Sequence, residues 1–336
     1  MKYRQLACVL AVMAMATAGC QKESAGKKPG ASSGGKLRIG VMPKLVGIPF
    51  FNAVEKGAKE AAAELGVALS YDGPVENSAE QQAKMLQTWI AKKFDVIAIA
   101  PNDPDQIANT LKMARKRGIE TIAFDADAAK EARAFFVNQA TYEAIAKSLM
   151  DIMAKNIGPE GKYIYLTGSL TAYNQNVWMR EMEKYRKKTY PKMVNLSKDP
   201  KPSGEDQALG TRVTLDILKS YPDVRGIFGM TSQALPGAAE AVRKQKAADK
   251  VFVTGLATPN TMRSYVKDGT VKEFVLWSPV DLGYLTVHAA KLLAEGKLED
   301  GTIQAGRLGT IKVIGDQVLL GDPIVFNKDN IDKYDF

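Results

Sequence analysis

Histidine and cysteine are almost missing from this sequence. His288 is the only histidine, and Cys8 and Cys20 are the only cysteines, in 336 residues. From these no disulfide framework, Cys/His zinc cluster or Cys–His nucleophile pair can be built. His288 lies in the helix-like run LTVHAA (285–290), apart from any other candidate catalytic group, and reads as structural. Motifs that carry chemistry are also absent: no GxxxxGK[ST] phosphate loop, no GxGxxG after the first strand and no HExxH. Gly168-Ser169 follows a strand-like run, but Leu-Thr-Ala-Tyr comes next, without the glycines needed to wrap a phosphate. Asp125 and Asp127, two apart at a strand end, would share a side, yet no third acidic residue has matching spacing for a metal. No catalytic residue, metal or cofactor is therefore expected. Nor is nucleic acid expected as a partner. Of the +9 net charge, +2 comes from Lys2 and Arg4 and +3 from residues 21–36, which leaves a mild +4 on the body.

What is present begins with an address. Lys2 and Arg4 precede an apolar run from Leu6 to Ala16, then the small residues Thr17-Ala18-Gly19 and Cys20. A charged start, a short apolar run and small residues before a cut make 1–19 a signal peptide, and the run is too short to span a bilayer. Ending at Cys20 resembles a bacterial lipoprotein signal, in which the cysteine is lipidated and becomes the first mature residue; Thr17 departs from the usual leucine. Cleavage there also removes Cys8, which suits an oxidising extracytoplasmic compartment. Residues 20–36, rich in Gly, Ser and Lys, read as a lipidated cysteine and a flexible tether that holds the body at a membrane surface.

From Leu37 the chain alternates strand and helix. Strand-like runs at 37–42, 67–71, 95–100 and 119–124 are separated by helical patterns at 50–65, 78–92 and 103–116. After Asp125-Ala126-Asp127 the alternation restarts, with strands at 162–167, 193–197, 225–229 and 251–254 between helices. A leftover helix–strand–helix unit (259–295) and β-rich segments at about 308–326 close the chain. Continuous apolar strands between helices are the pattern of parallel sheets covered on both faces, so an α/β fold of two doubly wound parallel-sheet lobes is expected.

In such folds ligands bind beyond the carboxyl ends of the strands. Lys44, Phe50 and Phe51 follow the first strand; Asn102 and Asp103 follow 95–100; Asp125 ends 119–124. Asn174 and Gln175 follow 162–167, Met230, Thr231 and Ser232 follow 225–229, and Trp277 ends 272–277. Carboxylates, amides, an ammonium and flat aromatic faces are what a polyhydroxylated ligand needs. Simpler roles compete. Asp103 before Pro104 reads as a helix N-cap, Trp89 and Trp178 as core, and Phe50 and Phe51 divide between core and pocket. Asp125 is hardest to explain away, since a carboxylate ending an apolar strand must be hydrogen-bonded or face a solvent cleft.

These features resemble the ribose-type periplasmic solute-binding proteins of ABC importers, and within them the rhamnose-binding and autoinducer-2-binding group. The resemblance runs from Leu37 to Phe336. It is carried by MPKLVG (42–47), YDGP (71–74), FDAD (124–127), NQNVW (174–178), GLATP (255–259), GTVKEF (269–274) and VFNKDNID (325–332). It implies two lobes joined by three hinge crossings, the periplasmic binding protein type I fold. The first lobe is expected to hold 37–127 plus 258–295 and the second 128–257 plus 296–336. It also implies that Lys44 and Asp125 touch the ligand. Asn174-Gln175 stands where the autoinducer-2 group has Asp-Gln, and Met230-Thr231-Ser232 where that group has Pro and Ala. With WSPVDLGYL (277–285) and AGRLG (305–309), this looks more like the rhamnose group. The expected ligand set is Lys44, Phe50, Phe51, Asn102, Asp125, Asn174, Gln175, Met230, Ser232 and Trp277. The expected function is capture, by a monomeric extracytoplasmic lipoprotein, of a small neutral sugar for the permease subunits of an ABC transporter. Autoinducer-2 uptake and a chemosensory role are the alternatives.

Overall fold

The computed structural model describes residues 35–336; the predicted leader, Cys20 and most of the tether lie outside them. The first half of the chain lays down β1 (Arg38–Met42), α1 (Pro49–Leu65), β2 (Ala68–Tyr71), α2 (Ala79–Ala91), β3 (Val96–Ile99), α3 (Pro104–Lys116), β4 (Glu120–Phe124) and β5 (Phe135–Asn138). It then continues with α4 (Tyr142–Ile157), β6 (Lys162–Thr167), α5 (Tyr173–Thr189), β7 (Val194–Asn195), β8 (Lys201–Pro202), α6 (Gln207–Ser220), β9 (Gly226–Gly229), α7 (Ala234–Lys244) and β10 (Phe252–Gly255). The last part supplies α8 (Pro259–Lys267), β11 (Glu273–Leu276), α9 (Pro279–Ala294), β12 (Gly301–Gln304), β13 (Thr310–Ile314), β14 (Gln317–Leu319) and β15 (Ile324–Asn327).

Two sheets organise these elements. The first has eight strands in the order β12-β13-β14-β5-β4-β3-β1-β2, parallel from β14 to β2. The second runs β10-β9-β6-β7 with β8 also on β6, all parallel. A parallel bridge from Leu256 to Val275 extends it to β11, which pairs antiparallel with β15. Central strands such as β3 (VIAI) and β9 (GIFG) are buried along their whole length because helices cover both faces. The chain passes between the lobes three times: from β5 to α4, from β11 to α9, and from β14 to β15.

The lobe boundaries differ from those expected. Residues 135–138 and 301–319 belong to the first sheet, not the second. Strand β5 is only four residues long and ends in Asn138, too brief for a periodicity to register. In β13 buried and exposed positions alternate strictly, as on an antiparallel edge with one solvated face; its hairpin partner β14 docks on β5 and so extends the first lobe. Conversely, α8 packs against α7 and β11 lies beside β10, so 259–276 falls in the second lobe.

Helices α1 and α9 meet with almost no space between their backbones. A Cβ on Gly57 would lie 1.7 Å from the Val280 carbonyl oxygen, and one on Gly283 would lie 2.0 Å from that of Val54. Both helices open with a proline, Pro49 after the Lys44 loop and Pro279 with two residues between it and the end of β11, so the contact lies beside Phe50 and Trp277. Gly283→Ala is expected to lower unfolding free energy by at least about 2 kcal/mol through overpacking against backbone that cannot yield. Chemical denaturation measures this, and a loss within about 0.5 kcal/mol, the range of neutral surface changes, contradicts it.

Candidate ligand-binding site

Strand register brings the loops together. Met42 pairs with Ile99 and Ile99 with Ala123, so the segments after β1, β3 and β4 leave one edge of the first sheet side by side. In the second sheet Leu166 pairs with Gly229 and Gly229 with Gly255, which aligns the ends of β6, β9 and β10. Between these edges lies a cavity whose wall includes Lys44, Phe50, Phe51 and Asp125 from the first lobe. Asn174, Gln175, Trp178, Glu205, Met230, Thr231, Ser232, Leu256 and Leu276 come from the second, and Ile48 and Trp277 complete it.

The loop carrying Lys44 is held from behind. Gln82 Nε2 donates to the carbonyls of Pro43 (3.0 Å) and Ala100 (2.9 Å), and its Oε1 accepts from the Asn102 N–H (2.8 Å). Asn102 Nδ2 in turn donates to the Lys44 carbonyl at 2.8 Å. Asn102, expected as a ligand contact, therefore stands behind the wall as a buttress and does not line the cavity. Asp103 caps α3, accepting from the N–H groups of Asp105 (3.0 Å) and Gln106 (3.1 Å).

Asp125 occupies a strained position. Its φ of 60° is in the left-handed region, and the Ala126 N–H donates to the Phe124 carbonyl at 2.6 Å, closing a three-residue γ-turn. A non-glycine residue so held costs about 1–3 kcal/mol, a price met at sites where geometry matters more than comfort. The turn also separates two carboxylates that an extended chain would place on one side. Asp127 is bonded at both oxygens to Arg133, from Nε and Nη2 at 2.8 Å each, whereas Asp125 lines the cavity. Burial pushes the Asp125 carboxyl up to about 6, with Lys44 pulling it down and Glu205 adding to the rise. Among the described residues no hydrogen-bond donor reaches that carboxylate; Gln139 Nε2 donates to its backbone carbonyl at 3.1 Å.

On the second lobe, the first turn of α5 supplies Asn174 and Gln175, and Trp178 follows one turn later on the face of Asn174. Lys44 Nζ donates across the cleft to Asn174 Oδ1 at 2.9 Å. Gln175 Oε1 accepts from the Gly168 N–H (2.8 Å) and the Thr167 hydroxyl, and its Nε2 donates to Glu205 Oε1 at 2.8 Å. Thr231 Oγ1 accepts from the N–H groups of Gln233 and Ala234, so that residue fastens the start of α7. Four aromatic rings form much of the apolar wall. Phe50 meets Phe51 edge-on at 5.1 Å and Trp277 at 6.2 Å, and Trp178 tilts against Trp277 at 5.7 Å.

Nine of the ten expected site residues thus line one cavity, and Asn102 does not. Trp89 stacks on Phe94 in the first lobe as a core residue, but Trp178, read as core, faces the cavity. Glu205, Ile48, Leu256 and Leu276 are new. Leu256 and Leu276 are indistinguishable in sequence from strand-end core residues. Glu205 follows a strand of two residues and sits at φ 55° after Gly204 at φ 67°. The one available sign was that Pro202-Ser203-Gly204 cannot continue a strand or begin a helix. His288 is buried on α9 and does not line the cavity.

The arrangement can bind but offers no activated nucleophile. It presents an ammonium, two carboxylates and two amides against aromatic faces, matched to hydroxyls on one side of a ligand and C–H bonds on another. Residues 39–298 match the family described as periplasmic binding protein domain. The chain is similar to the ribose import binding protein RbsB of Salmonella typhimurium, 26% identical over 251 residues that cover 74% of this chain and 82% of that one. It is also similar to the structure of LsrB from Clostridium saccharobutylicum in complex with AI-2, at 29% identity and a TM-score of 0.85, covering 89% of this chain and 100% of that one. An ABC transporter solute binding protein from Clostridium phytofermentas with bound L-rhamnose is 26% identical with a TM-score of 0.85, covering 89% and 98% respectively.

Proposed function

Because the chain belongs to the periplasmic binding protein domain family, as a sugar solute-binding protein of the ribose-type group of ABC importers, we propose that it captures a neutral, rhamnose-like monosaccharide between its lobes. As a monomer held outside the cytoplasm by lipid on Cys20, it hands that sugar unchanged to the permease. One observation carries this reading: charged and amide groups from both lobes converge on a single aromatic-walled cavity, with the Asp125 carboxylate left without a donor. A buried carboxylate lacking partners is costly. Ligand hydroxyls supply the missing donors, while C–H faces cover Phe50, Phe51 and the two indoles.

Closure follows from the same geometry. Lys44 on the first lobe and Asn174 on the second already meet at 2.9 Å, so a ligand that bridges Asp125 to Gln175 adds bonds only when the lobes are together. Contacts made to both sides favour the closed state, and the permease reads that state. Autoinducer-2 is the second reading, favoured by the likeness to LsrB in complex with AI-2.

The test is thermal unfolding of residues 21–336 with L-rhamnose, D-ribose, D-fucose and autoinducer-2. A ligand at a hundredfold excess over Kd is expected to add about 2.7 kcal/mol to stability and raise Tm accordingly. A well-folded protein whose Tm is unmoved by every member of the panel would end this reading.

A further inference from the structure

Resting on the sugar-binding reading, we propose that Glu205 is a second-lobe ligand contact whose carboxylate gives the cavity one negative charge in excess, so that the site selects hydroxyl-bearing neutral sugars and discriminates against acidic ones. Glu205 lines the cavity with only 9% of its surface exposed. Its Oε1 takes the Gln175 Nε2 hydrogen bond at 2.8 Å; among the described residues Oε2 has no hydrogen-bond partner. Three charged side chains face the same space, Lys44, Asp125 and Glu205, and no direct hydrogen bond joins any two of them. Each therefore keeps capacity for a ligand. Lys44 spends one of its three donors on Asn174, and both carboxylates retain acceptors.

The backbone is arranged for this placement. Gly204 and Glu205 both adopt left-handed φ values, at the end of β8 beside Gly168, where a Cβ on Gly168 would lie 2.1 Å from Glu205 Oε1. Only glycine at 168 leaves room for the carboxylate to lie against the end of β6. Gln175 links that carboxylate to Thr167 and Gly168, so the side chain is fixed before any ligand arrives. Asp125 from one lobe and Glu205 from the other thus offer acceptors on opposite walls. A sugar with hydroxyl donors on two edges satisfies both. A uronate carboxylate or a sugar phosphate would bring another anion into a space already holding two carboxylates and one ammonium, where like charges are poorly screened.

The experiment is calorimetric titration of the purified protein and its Glu205→Gln variant with L-rhamnose, D-ribose, D-fucose and D-galacturonate, the acid counterpart of D-fucose at C6. Gln keeps an acceptor for Gln175 while removing the charge. Wild type is expected to bind a neutral sugar at least tenfold more tightly than D-galacturonate, and E205Q to weaken that sugar about 10- to 100-fold, the loss expected for one hydrogen bond to a charged group. A second variant, Glu205→Asp, withdraws the carboxylate by one methylene and is expected to weaken binding as well. If E205Q also slides the pH midpoint of binding downward, the effect is electrostatic and not merely structural, because a like charge beside Asp125 has gone. Wild-type binding with unchanged affinity in E205Q, or equal affinity of wild type for D-galacturonate, overturns the proposal while leaving sugar binding intact. No binding of any sugar by wild type sinks the underlying reading instead.

Discussion

Asp125→Asn is expected to weaken sugar binding at least about 100-fold while leaving the unliganded protein as stable as wild type or slightly more so. The carboxylate is buried, lacks a side-chain hydrogen-bond donor among the described residues and is pushed up to about 6. Two charge-assisted bonds from ligand hydroxyls, each worth about 1.5–3 kcal/mol, disappear when an amide replaces it. The isosteric amide also relieves the desolvation of a buried anion, so Tm without ligand does not fall. The same group makes affinity depend on pH. Its folded value lies above the ordinary carboxylate range, so unfolding releases it to ionise more easily, and it disfavours the folded state once pH rises through about 6. Binding has the opposite sense: the ionised acceptor is complete above about pH 7, and affinity falls by up to tenfold per unit below about 6. Titrations across pH 5 to 8 decide the matter, roughly one unit either side of the midpoint and beyond. Full affinity in the asparagine variant would remove Asp125 from the site.

Arg133→Met is expected to cost about 3–5 kcal/mol of stability, the loss seen when one partner of a buried ion pair is left behind. The Arg133 side chain is 1% exposed, bonded twice to Asp127 and, from Nη1, to the Asp316 carboxylate at 2.6 Å and backbone carbonyl at 3.4 Å. The half-exposed Asp316 contact adds little by itself, but it ties the β13–β14 turn to the segment carrying Asp125. Replacing both members, Asp127→Leu with Arg133→Met, is expected to recover much of the loss, because no uncompensated charge remains. Urea titration of the three proteins measures this. A single variant within about 1 kcal/mol of wild type would show that the pair does not hold the segment.

Residues in this segment also mark how far sequence reasoning reached. The two-lobe α/β fold was legible because parallel strands buried on both faces, such as DVIAIA before Pro101, cannot be mistaken for amphipathic surface. The short strand β5 and the outer hairpin were not assignable, since their place depends on which sheet edge stands open when they arrive. Lys44, Asp125, Asn174 and Gln175 were legible as polar groups at the ends of apolar strands, where burial without purpose is expensive. That Asp125 and Asp127 part company was not, because it depends on one residue with positive φ. Asn102 misled for a related reason: position at a strand end does not say whether an amide turns inward or backs a neighbouring loop.

The aromatic wall has one more consequence. The chain holds three tryptophans, and two of them, Trp178 and Trp277, touch each other at the cavity, while Trp89 stacks on Phe94 well inside the first lobe. Nature has thus supplied the unlabelled polypeptide with a paired ultraviolet reporter in the lining of the trap and an internal reference away from it, with no dye to attach.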